Sequence, residues 1–154
     1  MVRPLKDDDY EELLALRTSL RRFLQKSESF ARGAGLTPVQ HQLLLAIRGH
    51  SDPLGPTIGD AASYLLLRHH SAVELVDRAE AAGLVMRGPD PHDARVVRLS
   101  LTKDGKAALE RLSERNLDEL RRLAEYFRPL LDADNAATSE QSSKASPRRA
   151  QSSA

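Results

Sequence analysis

The 154-residue chain contains no cysteine and no tryptophan. The lack of cysteine excludes disulfides, thiol-based redox sensing, cysteine-ligated zinc and a cysteine nucleophile. Aromatic residues make up only 4% of the sequence, so the core has to be built from Leu, Val, Ile and Ala. No apolar run approaches the roughly 20 residues that a membrane helix needs, and no membrane partner is expected. An excess of charge of either sign is missing too: 23 Lys and Arg face 22 Asp and Glu, a formal net charge of +1. Whole-chain charge therefore gives no support for nucleic acid, membrane or an acidic partner, and any basic surface has to come from local placement. Residues 1–6 lead into Asp7-Asp8-Asp9 without an apolar stretch, so no secretory signal is expected and the expected compartment is the cytoplasm.

What is present is helical periodicity, broken once. Leu13, Leu16, Leu20, Phe23, Leu24 and Ala31 recur at spacings of three and four, predicting an amphipathic helix over 9–32. Gly33 and Gly35 end it. Thr37-Pro38-Val39-Gln40 then reads as a capping box with proline at the first helical position, opening a helix to about Arg48. Residues 49–56 are a Gly- and Pro-rich loop. Thr57 with Asp60 starts a short helix through about Leu65. Residues 69–82 form another, burying Ala72, Leu75, Val76 and Ala79 and stopping at Gly83. The period then switches to two: residues 84–87 and 95–101 predict a hairpin joined by a turn over 88–94. Thr102 caps a last long helix with an apolar stripe of Leu109, Leu112, Leu120, Leu123, Phe127 and Leu130. Arg128-Pro129 marks a potential break. From 132 to 154 no Leu, Ile, Val or aromatic residue occurs, which predicts a disordered polar tail.

Three short helices followed by a hairpin is the order of a winged helix-turn-helix. In that arrangement residues 69–82 are the helix that enters a major groove, and the hairpin reaches to the backbone or minor groove. Arg68, His69, His70 and Ser71 open this helix and suit phosphate or base-edge hydrogen bonds. Glu74 can accept from a cytosine amine or remain solvated. Arg78, two turns in, suits a phosphate or a salt bridge. Arg87 and Arg98 flank the wing, where DNA contact and plain strand solvation are both open. The adjacent histidines project about 100° apart and are no chelating pair. No metal or cofactor is expected. Nor is an enzyme: there is no phosphate loop, no Gly-x-Ser-x-Gly and no nucleophile–base arrangement.

The ordered set Leu36-Thr37-Pro38-Val39-Gln40, Thr57-Ile58-Gly59-Asp60-Ala61-Ala62, Leu75-Val76-Asp77-Arg78, Ala82-Gly83-Leu84-Val85, Asp90-Pro91-His92-Asp93-Ala94-Arg95 and Leu99-Ser100-Leu101-Thr102-Lys103-Asp104-Gly105 resembles the MarR family of transcriptional regulators over about residues 10–130. The resemblance implies a mainly α fold. A dimerisation helix lies in 1–35, a winged helix-turn-helix DNA-binding domain in 36–102, and one or more dimerisation helices in 103–131. It further implies a homodimer on pseudo-palindromic double-stranded operator DNA, usually repressing, released by a small aromatic or anionic ligand. Arg95 matches the family's wing arginine, although Ala94 stands where many relatives carry another Arg. A ligand pocket is implied between the DNA-binding lobe and the dimer helices, with Arg22, Phe23, Phe30, His41, Leu44 and Leu45 as candidate lining. The same six suit plain packing. Independently, the Leu-rich first and last helices exceed what the small domain needs for cover, which favours pairing with a second copy. The alternative is a winged-helix module for protein assembly without sequence-specific DNA binding.

Overall fold

The computed structural model describes residues 4–144, with side chains described as far as residue 128. Its elements follow the order α1 (Asp7–Gly33), α2 (Pro38–Gly49), α3 (Ile58–Leu65), α4 (His69–Ala81), β1 (Val85–Pro89), β2 (Val97–Leu101) and α5 (Lys103–Lys144). The fold is mainly helical with a two-stranded antiparallel wing.

Local chemistry explains the boundaries. Asp7, Asp8 and Asp9 occupy the first turn of α1, where the helix dipole favours negative charge. Gly35, at φ 78°, lets the chain turn so that the Leu36 amide donates back to the Ala31 carbonyl at 2.9 Å. At α2 the Gln40 amide donates to Thr37 Oγ1 (3.2 Å), and the Thr37 amide donates to the Gln40 side chain (3.0 Å). Thr57 and Asp60 form the same reciprocal cap on α3. These Thr57 hydrogen bonds hold the Asp60 carboxyl below its ordinary pKa. Thr102 accepts from the Gly105 amide at 2.9 Å and starts α5.

Leu43, Leu44, Leu75, Val76, Val85, Leu99, Leu109 and Leu112 belong to a single buried cluster fed by α2, α4, both strands and the start of α5. Farther along, α1 packs on α5 as an arm beside this core. The apolar stripes of the arm are only partly used. Ala31 is buried and Phe23 half-buried, but Leu13, Leu20 and Leu24 on α1 and Leu117 and Leu120 on α5 stay exposed.

Three details differ from the sequence reading. The strands run two residues later at the tip, pairing Pro89 with Val97, and the turn occupies 90–96. Proline is tolerated there because it closes the end of an edge strand, while side-chain hydrogen bonds from Asp90 and Asp93 shape the turn. β2 also has a second neighbour, since Thr57 bridges Arg98 and the Leu99 amide donates to the Pro56 carbonyl at 2.8 Å. Finally, α5 runs through Pro129 without a break and includes 132–144, which the composition had assigned to a disordered tail. Ala133, Ala136, Ala137, Glu140 and Gln141 are strong helix formers, and extending an existing helix avoids a new nucleation step. The rest of that expected tail, 145–154, lies outside the described residues.

Candidate nucleic-acid interface and effector groove

The tight turn between α3 and α4 presents the start of α4 to solvent. Arg68 occupies the N-cap position but makes no capping hydrogen bond. Arg68, His69 and His70 are exposed, and Ser71 is half-buried. None of the four side chains has a hydrogen-bond or ion-pair partner among the described residues. The unpaired backbone N–H groups of this first turn add donors facing outward. Glu74 and Arg78 are exposed on the same helix, opposite the buried Ala72, Leu75, Val76 and Ala79.

The wing arginines fall into two kinds. Arg95 projects from the tip with its side chain 91% exposed, oriented by Asp93, which accepts from its Nε and Nη2 at 3.1 Å each. That pairing, with the Arg95 backbone amide, holds the Asp93 carboxyl below its ordinary pKa. Arg87 and Arg98 are instead engaged inside the molecule. Arg87 binds Asp77 and Glu80, tying β1 to α4. Arg98 donates from Nε to Asp90 at 2.7 Å, and from Nη1 to the Gly55 carbonyl at 3.0 Å and to Asp52 at 3.4 Å. Both are neither free guanidinium groups nor simply solvated. Sequence reading overlooked Asp90 and Asp52 because neither belongs to a periodic element. The hairpin register, had it been fixed, brings Asp90 beside the strand carrying Arg98.

The six candidate pocket residues separate. Phe23, His41 and Leu45 line an apolar groove of about 440 Å³ between α1, α2 and α5, together with Leu24, Ser27, Gln42, Ser113, Asn116, Leu117 and Leu120. Leu44 is fully buried in the core behind it. Phe30 packs against the core beneath the Arg115 guanidinium, 5.7 Å from its ring centre. Arg22 lines a different cleft, with Lys26, Glu119, Arg122 and Tyr126. Of the polar groups in the groove only His41 was predicted; Ser27, Gln42, Ser113 and Asn116 were not, although small polar residues such as Ser27 and Ser113 interrupting an apolar stripe were the visible signal.

His41 is the groove's most distinctive group. It is only 3% exposed, and its side chain makes no hydrogen bond among the described residues. Since no buried side-chain nitrogen there is sealed off without a partner, its ring opens onto the groove it lines. Burial lowers its pKa, favouring the neutral imidazole. No group of three or more His, Asp or Glu able to hold a metal ion occurs among the described residues. No described helix is long and apolar enough to cross a membrane.

Comparison with known proteins places this geometry. Residues 34–96 match the family model described as MarR family. The chain is 32% identical over 71 residues to YsmB of Bacillus subtilis, an uncharacterized HTH-type transcriptional regulator, covering 46% of this chain and 49% of the relative. It is 32% identical over 80 residues to BadR of Rhodopseudomonas palustris, a transcriptional activatory protein, covering 52% and 46%. The chain thus spans about half the length of the curated relatives it matches. Among solved structures, the transcriptional repressor CouR bound to a 23-mer DNA duplex superposes with a TM-score of 0.60 at 27% identity, covering 94% of this chain and 100% of that one.

Proposed function

We propose that this chain, whose residues 34–96 carry a MarR-family winged helix, acts as a homodimer that binds pseudo-palindromic operator DNA and is released by a small ligand. The observation that carries the DNA reading is the open start of α4. Arg68, His69 and His70 stand exposed and without partners, beside an uncapped helix N-terminus. Ser71 and Glu74 follow as base-edge donor and acceptor, Arg78 as a phosphate ligand, and Arg95 as the wing's probe. Arg87 and Arg98 act indirectly, by holding the wing.

The arm supports a second copy as partner. Leu13, Leu20, Leu24, Leu117 and Leu120 leave apolar surface on α1 and α5 that the protomer itself does not cover. Pairing two copies buries these surfaces and sets two α4 helices at the spacing of two half-sites. In this division 1–35 and 103–131 are the arm and 36–102 the reading domain, working in the cytoplasm.

The groove between arm and reading domain is the effector site in this reading. Its lining has no Lys or Arg, and Arg22 lies elsewhere. It therefore favours a neutral aromatic or aliphatic molecule with one polar group for His41, Ser113 or Asn116, rather than an anion. A ligand wedged there alters the angle between arm and reading domain, and so the α4 spacing. BadR is described as activatory and CouR as a repressor. The sign of regulation follows where the operator lies, and repression applies when it overlaps a promoter.

Selection of bound sequences from a random duplex pool by the purified protein tests this reading. The expected result is an enriched inverted repeat whose binding weakens steeply with salt. No enrichment and a flat salt response would leave the protein-assembly reading in its place.

A further inference from the structure

We infer that Arg98 is a positioning residue for Arg95, acting through Asp90; the inference rests on the DNA-binding reading for its functional consequence but not for its structural content. The two arginines do not touch. They are joined by a series of hydrogen bonds that passes through the turn.

Arg98 is the inner end. Its side chain is 21% exposed and reaches three acceptors: Asp90 Oδ2, the Gly55 carbonyl and Asp52 Oδ2. Gly55 and Asp52 belong to the loop before α3, so this one guanidinium fastens the wing to the body of the reading domain. Asp90 is the middle. One of its oxygens takes Arg98, and the other accepts from the backbone amides of His92 (2.7 Å) and Asp93 (3.1 Å). Asp93 is the outer end, holding Arg95 by its backbone amide, Nε and Nη2.

Each link depends on the one before. Asp90 is only 7% exposed, and a carboxylate held there needs a partner for its charge. Without Arg98 it rotates toward water and leaves the His92 and Asp93 amides. Among the described residues the tip then keeps two backbone–backbone hydrogen bonds, from Asp90 to Val96 and from Val96 to Asp93, and the local hold of Asp93 on Arg95, with nothing that fixes Asp93 itself to the body of the domain. The paired strands stay docked on the body, but the turn beyond Pro89 and Val97, with few buried contacts and little hydrogen bonding, opens locally. Arg95 is then still present and still charged but no longer held where a phosphate or minor groove is met.

The test uses the full chain and the variants R98L, R98K, D90N, R95A and R98L/R95A. Without DNA, the NMR signal of the Arg95 Nε–H and the exchange of the His92 and Asp93 amides report on the tip directly. R98L is expected to disorder the Arg95 signal and speed both amides while the thermal midpoint stays within a few degrees. R98K is expected to recover part of the order. With selected DNA, R98L and R95A should each lose about tenfold in affinity and about one unit of salt slope. The double variant should lose no more than either alone. An R98L protein with an ordered Arg95 and protected amides overturns the inference, and so do losses that multiply in the double variant. Should R98L fail to fold, D90N decides the matter, because its Oδ1 still accepts from the turn amides while its pairing with Arg98 is weakened. A wild-type chain that binds no DNA sinks the functional reading alone, since the NMR arm still decides the positioning.

Discussion

The backbone of Gly55 runs so close to Leu99 that a Cβ at position 55 would lie 2.1 Å from the Leu99 carbonyl oxygen. The same glycine sits at φ 83°, where a side chain is strained whatever the space. Gly55→Ala is therefore expected to destabilise by roughly 2–4 kcal/mol, from overpacking and backbone strain together. Gly33→Ala serves as the control, because nothing lies within 4 Å of a Cβ there. Urea unfolding of the two variants checks this, and equal stability would show that the loop before α3 moves off β2 at little cost.

Leu66 presents the converse case. It adopts φ 55° in the turn between α3 and α4 and is 92% exposed. A leucine in the left-handed region costs about 1–2 kcal/mol, and nothing it buries offsets that. Leu66→Gly is expected to gain roughly 0.5–1 kcal/mol after the extra chain entropy of glycine is subtracted. A rise in thermal midpoint is the expected readout, and a fall would reveal packing by Leu66 that its exposure conceals.

Local signals were legible in the sequence and tertiary ones were not. Capping signals at Thr37–Gln40 and Thr57–Asp60 are local, and so are the stripes of α2 and α4, which is why those elements fall where periodicity puts them. The exposed cluster at Arg68, His69 and His70 was legible for the same reason. Contacts set by tertiary closure were not. The Gly55–Leu99 approach and the Arg98–Asp52 contact bring together residues 44 and 46 apart in sequence, which no window joins, and the Arg98–Asp90 pair, 8 apart, depends on a hairpin register that the turn sequence left open. Composition also misjudged 132–144, because a lack of large apolar residues argues against a core but not against extending a helix already formed.

His41 makes stability depend on pH. Burial lowers its folded pKa below the ordinary value of 6.5, so the unfolded chain binds the proton more readily. The contribution is complete above about pH 6.5 and is lost as the pH falls from there through the depressed folded value. The slope from this one proton is at most about 1.4 kcal/mol per pH unit. His41→Leu should flatten the stability profile as the pH falls below about 6.5. An unchanged profile in the variant would assign the acid sensitivity to the carboxylates, such as Asp90, which lose their contribution at lower pH.

The exposed leucines of the arm give a test of assembly. Leu20 and Leu117 are 41% and 48% exposed in the protomer, so a charge there costs the isolated fold little, within about 0.5 kcal/mol. In a dimer that buries both, the same charge is desolvated and unpaired. Leu20→Glu and Leu117→Glu should each shift sedimentation toward the monomer. Leu54→Glu, in the loop before α3, should not. A dimer that survives both arm substitutions places the interface on another surface.

The arginines of the reading domain separate by what they do. Arg68 has no side-chain partner among the described residues, so Arg68→Ala removes a charge from the proposed DNA face and nothing that holds the fold. Its expected signature is a salt slope lower by about one, with stability unchanged. Arg87 is 26% exposed and joins Asp77 and Glu80 of α4 to β1. Arg87→Ala should lower stability by about 0.5–1 kcal/mol, the worth of a largely solvent-facing pair. The salt slope should hold, because no phosphate contact is lost, although two uncovered carboxylates on α4 reduce affinity for every sequence alike. Binding isotherms at several salt concentrations, set beside thermal unfolding, distinguish the two. An Arg87→Ala protein with wild-type stability and a reduced salt slope would make Arg87 a direct phosphate ligand and dissolve the distinction.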